Sequence, residues 1–297
     1  MTIINAIEEY NIAKRISRHS SQNWLTLHRL MNGIGIQMAD PFSRHSVLNY
    51  QGWIELVDVM PHPQSLIDAE VDVDEGLWVK SGEDPYILDR AIVQAARTSY
   101  SGESKGDEAD KKLLMRLYKD KHLTPFEMVE FKFRVHAPVV VWWQWTRHRT
   151  MSYNFQSGRY TEFTEDQIYI PTKEAWRTQS KINKQGSEGY LSEVEGEAFT
   201  GIMETQAKQG YANYKLALNE GMAREQARFF LPAWCSMYTA IVKVDLRNLL
   251  GFLILRMAPD AQYEIRMYAQ TIYTEIVKPL CPWTAEAFEL YTLKEDK

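Results

Sequence analysis

Alternation of apolar and polar residues predicts several strands. In the segment FEMVEFKFRVH, the apolar residues Phe131, Phe133 and Val135 alternate with charged residues, which is the two-residue period of a strand with one solvated face. The segment GWIELVDVM, from Gly52 to Met60, is interpreted as the first strand of the core. Further strands are predicted at YTAIVKV and, shorter, at QIYIP.

Apolar residues with a period near 3.6 predict the helices. Ile87, Ala91 and Ile92 have helical spacing, and the segment DEADKKLLMRLYKDKH continues the pattern. The segment PVVVWWQWTRHR begins at a proline suited to a first helical turn and is apolar nearly all round, so we expect a buried helix. Further helices are predicted within the polar residues 185–220, in MAREQARFFLP up to Pro232, and in AQYEIRMYAQTIYTEIV.

One more helix is predicted at LRNLLGFLILRM. Asp245 can cap its first turn, and Leu246, Leu249, Leu250 and Leu253 form an apolar stripe along one face. Strands and helices follow one another without the regular alternation of βαβ units. An α+β fold is therefore favoured over a doubly wound parallel sheet.

The chain divides into an N-terminal extension and one domain. Residues 1–50 are polar apart from the patch WLTLHRLM, which is typical of a short amphipathic helix. The glycine pair that follows it does not complete a dinucleotide-binding GxGxxG motif. Residues 51–297 are predicted to form the domain, with an acidic, proline-broken excursion near 61–84.

The composition indicates a protein without a strongly basic surface. The 297 residues are 45% hydrophobic and 25% charged, with a formal net charge of −5, so any anion-binding site must be local. Cys235 and Cys281 lack metal-type spacing and are too few for a disulfide scaffold. The N-terminus does not resemble a signal peptide, and the apolar runs fall short of the ~20 residues that span a bilayer. We expect a soluble, cytoplasmic protein.

The stretch RHRTMSYNFQSGRY carries the main chemical signal. Arg147, His148 and Arg149 follow an apolar run, and a cation removed from water is costly unless it is partnered. The residues after them offer hydroxyl groups, amides and a glycine, but no carboxylate. Together with Arg159 they resemble a phosphate cradle. The alternative is a surface loop whose arginines pair with glutamates elsewhere, and spacing alone does not separate the two.

A second signal is Arg256, which lies three residues after Leu253 on the stripe that should face the core. Its guanidinium group must either pair with a buried carboxylate such as Glu264 or point into a ligand cavity. On sequence alone, the structural ion pair is slightly favoured.

Other candidate residues have simpler interpretations. Arg224 and Arg228 flank Glu225 on one helix, so a surface ion pair of Arg228 with Glu225 is expected. His122 lies where a helix gives way to a strand, and a lone histidine is more often structural than a ligand contact. No metal-binding or nucleophile motif is present. A site rich in arginine and poor in nucleophiles binds anionic molecules, and any catalysis there needs an organic cofactor.

The sequence Arg147-His148-Arg149, followed after seven intervening residues by Ser157, resembles the RHR-x7-Ser motif of the flavin-dependent thymidylate synthases. The blocks ELVDVM, AARTSY, HLTPFE, QWTRHRTMSYN, SGRY, AREQARFFLP, LRNLLGFLILR, AQYEI and CPWTAEAF also fall in that family's order. The resemblance covers roughly residues 51–297, apart from 61–84 and a longer helical region near 175–215.

The resemblance implies a mixed, mainly antiparallel sheet flanked by long helices, the thymidylate synthase-complementing fold. It implies reductive methylation of dUMP to dTMP, with methylenetetrahydrofolate as carbon donor and FAD passing hydride from NADPH. No enzyme cysteine attacks the uracil in that family, which agrees with the inert surroundings of both cysteines. A homotetramer with active sites at subunit interfaces is implied, with no nucleic-acid or membrane partner.

The resemblance also implies roles for individual positions. Arg256 would be the catalytic residue, polarising the uracil ring so that its carbon becomes nucleophilic. His122 would sit near the isoalloxazine ring and the folate, and Arg228 would reach the nucleotide from a neighbouring subunit. The cofactor-binding positions are Ser99, His122, Thr124, Arg147, His148, Arg149, Phe155, Asp245, Arg247 and Gly251. The dUMP-binding positions are Gln144, Arg147, Gln156, Ser157, Gly158, Arg159, Arg228 and Arg256, with backbone amides and Arg159 on the phosphate.

Four positions depart from the family's usual pattern. Phe155 stands where glutamate is usual, Asp245 and Gly251 where asparagine is common, and Asp260 where histidine is common. They bear on the details of flavin contact more than on the reaction. One rival interpretation is a nucleic-acid-binding protein, against which the net charge argues. Another is a homologue that binds nucleotide or flavin without catalysis, against which Arg256 and the intact motif argue.

Overall fold

The structure, a computed structural model, describes residues 41–61, 86–99 and 102–293. The predicted helix at WLTLHRLM, the glycine pair and nearly all of the acidic excursion lie outside these residues. The first half contains β1 (Arg44–Val47), β2 (Gly52–Met60), α1 (Ile87–Thr98), α2 (Asp107–Lys119), β3 (Glu130–Pro138), α3 (Val139–Trp145) and β4 (Ser152–Phe155). The second half contains β5 (Arg177–Gln179), β6 (Ser187–Tyr190), α4 (Glu193–Asn219), α5 (Arg224–Ala227), β7 (Met237–Asp245), α6 (Leu246–Met257), α7 (Tyr263–Thr271), α8 (Lys278–Leu280) and α9 (Pro282–Phe288).

The central sheet has five strands in the order β1-β2-β3-β7-β4, and every neighbouring pair is antiparallel. Leu56, Phe133 and Val242 lie side by side across three strands, and all three are buried. This row is the apolar face that the alternation in β3 predicts. The α+β class with a mainly antiparallel sheet is therefore confirmed.

Strand β1 was not predicted from the sequence, and it pairs with β2 at the edge of the sheet. It falls within the last residues of the predicted extension, 1–50, so this part of the extension belongs to the sheet. The division of the chain into extension and domain otherwise stays a prediction.

Helix α6 packs its leucine stripe into the main core. Leu249, Leu250 and Leu253 are buried, as the helical period predicts. The Asp245 carboxylate accepts a hydrogen bond from the Asn248 backbone N–H at 2.9 Å, so it caps the helix as expected. The stripe ends at Arg256, whose side chain is half-buried.

A smaller core lies under the long helix α4. Phe163, Tyr214 and Leu231 are buried within it, and the Tyr214 hydroxyl accepts a hydrogen bond from the Phe163 backbone N–H at 3.0 Å. The predicted helix at 185–220 begins later, at Glu193, because Ser187–Tyr190 pairs with Arg177–Gln179 as a small hairpin. No helix in the described ranges is both long and apolar enough to cross a membrane.

Helix α3 is shorter and less buried than predicted. It ends at Trp145, where the Thr146 hydroxyl donates to the Trp142 carbonyl at 3.0 Å and the Tyr153 hydroxyl donates to the Trp145 carbonyl at 2.9 Å. Side chains and the backbone N–H groups of the following turn together satisfy these carbonyls. Burial on all sides was wrong, because Trp143 is 59% exposed and packs edge-on against Trp234.

The predicted strand at QIYIP was also wrong. Ile168 makes one isolated bridge with Ser236, and the Gln51 side chain binds both backbone groups of Ile170 at 2.8 Å. At Ile170 a side-chain amide thus takes the place of a neighbouring strand. The helices at MAREQARFFLP and AQYEIRMYAQTIYTEIV are present but interrupted, the first by a 3₁₀ turn and the second by a π-helical segment.

Candidate active site

The turn after α3 presents the RHR sequence. The Tyr153 hydroxyl, on β4, lies 2.9 Å from the backbone carbonyls of both Trp145 and His148, and ties this turn to the sheet. Arg147 and Arg149 are exposed, whereas His148 is half-buried. The apolar helix therefore serves as a fixed support that projects two guanidinium groups outward.

Arg256 meets this turn from α6. Its Nε donates to His148 Nε2 at 3.0 Å, its Nη1 to the Gln144 side-chain oxygen at 3.1 Å, and its Nη2 to the Gln144 backbone carbonyl at 3.2 Å. The slightly favoured ion pair with Glu264 was wrong, because the Glu264 carboxylate lies 2.8 Å from Arg177. Arg256 is thus held by neutral acceptors and keeps its charge available to a ligand.

His148 is neutral in this arrangement. Burial, and then the positive charge of Arg256, lower the pKa of His148 from 6.5 to about 4. A guanidinium group can only donate, so Nε2 of His148 must be the acceptor and Nδ1 must carry the proton. The pKa of Arg256 is itself lowered, chiefly by burial and further by the charge of Arg147.

We expect His148 to resist protonation until the pH approaches about 4. The unfolded chain takes up this proton near pH 6.5, so it binds more protons than the folded chain between those values, and stability should fall as the pH decreases through that window. Histidine NMR titration measures the midpoint directly. His148→Gln should flatten this part of the stability profile, and a wild-type midpoint near 6.5 would contradict the assignment.

The loop from Gln156 to Thr161, which we call the Ser157 loop, uses three of its six backbone amides internally. The N–H groups of Tyr160 and Thr161 donate to the Ser157 carbonyl, and that of Arg159 donates to the Ser157 hydroxyl oxygen at 3.3 Å. The N–H groups of Ser157 and Gly158 make no hydrogen bond within the described residues, so the expectation that backbone amides bind the phosphate stays a prediction. The Ser157 O–H proton still remains to be donated to a ligand.

Gly158 allows Arg228 and Phe163 to approach the loop. A Cβ atom at Gly158 would lie 2.6 Å from Phe163 Cε2 and 3.6 Å from Arg228 Cδ. The glycine is therefore required by close packing, and not by an unusual backbone angle. Arg228 lies beside the Ser157 loop of its own chain, whereas the resemblance implied a contribution from a neighbouring subunit.

The predicted ion pair between Arg228 and Glu225 was wrong. Arg228 Nε donates to the Glu225 backbone carbonyl at 3.2 Å, and the Glu225 carboxylate lies 3.3 Å from Arg159 Nε instead. Both side chains of the Arg159–Glu225 pair are more than half exposed, so the pair contributes little stability. Arg159 can therefore exchange Glu225 for an anionic ligand at small cost.

Of the positions that depart from the family pattern, Phe155 and Asp245 have structural roles here. The centres of the Phe155 and Trp142 rings lie 4.8 Å apart, with the rings edge to face. The Phe155 ring also stacks on that of Tyr153, with 6.0 Å between the ring centres. Asp245 caps α6, as described above, and Gly251 is exposed with open space where a Cβ would stand.

The remaining predicted flavin positions lie on other elements. Arg247 pairs with Glu127 in the 3₁₀ helix Thr124–Met128, so Thr124 and Arg247 belong to neighbouring segments. Ser99 follows α1, and His122 follows α2. Both are exposed. Within the described residues, no hydrogen bond or ion pair joins Ser99 or His122 to the RHR turn.

The charges at the site fit anionic cofactors and substrates. Arg147, Arg149 and Arg256 have no carboxylate partner within residues 41–61, 86–99 and 102–293, whereas Arg159 and Arg177 each have one. Cationic groups left without acids match the phosphates of a flavin dinucleotide and a nucleotide. The described residues contain no group of three or more side chains suited to a metal ion.

Neither cysteine is prepared for nucleophilic attack. Burial raises the pKa of the half-buried Cys235 thiol, and it raises that of the buried Cys281 thiol well above its usual value. A thiol with a raised pKa holds little thiolate near neutral pH.

Sequence reasoning missed Gln262, Arg177 and Tyr153 as parts of the site. Gln262 receives a hydrogen bond from the Gln144 side chain and donates to Glu264 at 2.8 Å. The signal for Gln262 and Glu264 was their place in the block AQYEI, shortly after Arg256. Arg177 carries no local signal, because it comes from the distant hairpin strand β5.

Comparisons with known proteins agree with this site. Residues 86–283 match the family described as thymidylate synthase complementing protein. A flavin-dependent thymidylate synthase from Thermus thermophilus is 48% identical over 207 residues, 69% of this chain and 73% of that protein. The enzyme of the same name from Dictyostelium discoideum is 41% identical over 210 residues, 70% of this chain and 68% of that protein.

A solved structure is also similar. The UMP/dUMP methylase PolB from Streptomyces cacaoi, bound with 5-Br dUMP, superposes with a TM-score of 0.62 and 29% identity, over 69% of this chain and 91% of that one. The family match covers the sheet strands β3, β4 and β7, the RHR turn, the Ser157 loop and Arg256. The chain therefore belongs to the thymidylate synthase complementing protein family, that of the flavin-dependent thymidylate synthases.

Proposed function

We propose that this protein converts dUMP to dTMP by reductive methylation, with methylenetetrahydrofolate as the carbon donor and NADPH as the reductant. The observation that carries the proposal is the setting of Arg256, which is held by Gln144 and neutral His148 and has no acid partner among the described residues. The family membership and the nucleotide named in the Streptomyces structure support the choice of dUMP.

Arg256 would act on the uracil ring. Negative charge develops on the ring oxygen when the ring carbon becomes nucleophilic, and a preorganised guanidinium group stabilises that charge. Gln144 and His148 fix the guanidinium before the substrate arrives, so little reorganisation is needed at the moment of reaction. Because both thiols have raised pKa values, electrophilic activation by Arg256 replaces activation by an enzyme cysteine.

The Ser157 loop would hold the nucleotide. The Ser157 hydroxyl and the Gln156 side chain offer hydrogen bonds, and Arg159 and Arg228 offer positive charge on either side of Gly158. Arg159 would leave Glu225 for the dUMP phosphate, since an exposed ion pair is weak.

FAD would be held by the two exposed arginines of the RHR turn together with the remaining predicted cofactor positions. When bound, it supplies hydride transfer between NADPH and the transferred carbon. Arg147 and Arg149 would neutralise its phosphates, and His148 would hold the Arg256 guanidinium in place. The residues assigned to the cofactor are Ser99, His122, Thr124, Arg147, His148, Arg149, Phe155, Asp245, Arg247 and Gly251.

A homotetramer in the cytoplasm, with active sites completed by neighbouring chains, remains part of this proposal. It would allow Ser99 and His122, which make no hydrogen bond to the RHR turn of their own chain, to act at the site of a neighbouring chain. Light scattering after gel filtration would test the assembly, and a monomer that forms dTMP at full rate would exclude shared sites.

The visible absorption spectrum of the purified protein tests the function. We expect flavin bands that bleach under anaerobic NADPH, faster with dUMP present, and dTMP formation once methylenetetrahydrofolate is added. A colourless protein that fails to take up FAD would refute the proposal. Flavin bleaching without dTMP formation would favour the alternative, a homologue that binds flavin and nucleotide but lacks catalysis.

A further inference from the structure

A line of hydrogen bonds connects Arg256 to a buried carboxylate. Arg256 donates to the Gln144 side-chain oxygen at 3.1 Å, and the Gln144 amide nitrogen donates to the Gln262 side-chain oxygen. The Gln262 amide nitrogen then donates to Glu264 Oε2 at 2.8 Å. Arg177 occupies the other carboxylate oxygen, also at 2.8 Å.

The two ends of this line determine the orientation of both amides. A guanidinium group can only donate, and an ionised carboxylate can only accept. Gln144 must therefore turn its oxygen toward Arg256, and Gln262 must turn its nitrogen toward Glu264. Only this pair of amide orientations gives each donor between Arg256 and Glu264 an acceptor. Because the two ends of a side-chain amide have nearly the same shape, hydrogen bonding and not packing makes this choice.

The carboxylate end is well anchored. Glu264 is 7% exposed, and the ion pair with Arg177 keeps its charge partnered in that buried position. The Arg177 guanidinium also lies 4.4 Å from the centre of the Tyr263 ring. These contacts hold Glu264 in place without any ligand. Its carboxylate therefore determines which end of the Gln262 amide faces it, and through Gln262 the orientation of Gln144.

We infer that Gln262, anchored by Glu264 and Arg177, is a positioning residue that keeps the Gln144 oxygen turned toward Arg256 and so holds the guanidinium in place for the uracil ring. This inference rests on the proposed function. Gln262 touches Gln144 and Glu264, and it acts on the reaction only through them. Without it, the Gln144 amide nitrogen loses its acceptor, and the Gln144 side chain can shift and carry its oxygen away from the position that holds the guanidinium.

Two variants of Gln262 test the inference. Gln262→Met keeps a similar side-chain volume but removes both hydrogen bonds. Gln262→Glu keeps an acceptor for Gln144, and when its carboxyl group is protonated it also donates to Glu264, which restores the whole line. Two neighbouring carboxylates raise the pKa of one of them, so this restoration should increase as the pH decreases. Position 262 contacts Glu264, whose charged and titratable neighbours are Arg177, Tyr169 and Cys235, and it is joined through Gln144 to Arg256 and His148.

We expect Gln262→Met to lower kcat for dTMP formation by about a hundred-fold, the cost of a small misplacement of a catalytic group, with a smaller change in the dUMP Kd measured by calorimetry. Gln262→Glu should recover activity relative to wild type as the pH is lowered, whereas the pH profile of Gln262→Met should parallel that of wild type. Thermal denaturation of each variant shows whether it is folded. The inference would be overturned if Gln262→Met kept the wild-type kcat. It would also be overturned if a folded Gln262→Glu variant recovered no activity at any pH.

A substrate-free measurement separates this inference from the proposed function. In Gln262→Met, the Arg256 guanidinium should be held less firmly beside His148. Because its positive charge lowers the pKa of His148, the NMR titration midpoint of His148 should then move upward. An unchanged midpoint would argue against positioning. If wild-type protein forms no dTMP but the midpoint shifts, the proposed function fails while the positioning of Arg256 by Gln262 stands.

Discussion

Replacement of Arg256 by alanine is expected to reduce dTMP formation by about 10³-fold while FAD remains bound. This loss corresponds to about 4 kcal/mol of transition-state stabilisation, a typical effect of removing a preorganised group at a developing charge. Gln144 and His148, which hold the guanidinium, contribute no charge that could replace it. Single-turnover kinetics and the flavin spectrum of the variant measure the two effects separately.

Two control variants make the result specific. Arg256→Lys keeps a positive charge but cannot reach His148 and both oxygens of Gln144 together, so its activity should lie between those of wild type and Arg256→Ala. Arg116→Ala removes an exposed arginine of α2 that pairs with Asp120, and should leave turnover unchanged. Substantial turnover in Arg256→Ala would remove the catalytic role assigned to this residue.

Replacement of Gly158 by alanine is expected to destabilise the protein by about 1–3 kcal/mol, as overpacking of a filled core does. The added Cβ would lie 2.6 Å from the buried Phe163 ring, which packs against Tyr214 and Tyr238 and cannot move aside freely. The Ser157 loop must then shift, so dUMP binding should weaken as well. Urea denaturation and calorimetric titration with dUMP measure these changes.

A matched glycine provides the control. Gly201 lies on an exposed turn of α4, and a Cβ there would meet nothing within 4 Å. Gly201→Ala should therefore stabilise the protein by about 0.5–1 kcal/mol, because alanine favours a helix interior. Equal effects of the two substitutions would show that Phe163 yields to the new methyl group, contrary to the packing argument.

The elements that the sequence predicted well are those whose signal is local and periodic. Strand β3 and helix α6 each place apolar residues on one face, and each buries that face as predicted. The cap at Asp245 was predicted for the same reason, since the cap and the N–H group that it receives are three residues apart. The strand at QIYIP failed because its backbone pairing stops at the single Ile168–Ser236 bridge, and Gln51, far away in the chain, binds both backbone groups of Ile170 instead.

The amino-acid sequence by itself determined the RHR turn after an apolar helix, the polar Ser157 loop and the absence of an activated cysteine motif. From these it indicated a site for anionic ligands and, by resemblance, the family. Such features depend on composition and short spacing, which are visible in a single chain.

Only the tertiary structure decided which partner each charged side chain takes. In the folded chain, Arg256 forms hydrogen bonds with Gln144 and His148. Glu264 forms its ion pair with Arg177, which lies 87 residues away in the chain. The Glu225 carboxylate likewise pairs with Arg159. An ion pair forms between side chains that folding brings within a few ångströms of each other, and the energy of an exposed pair is too small for sequence proximity to select the partner.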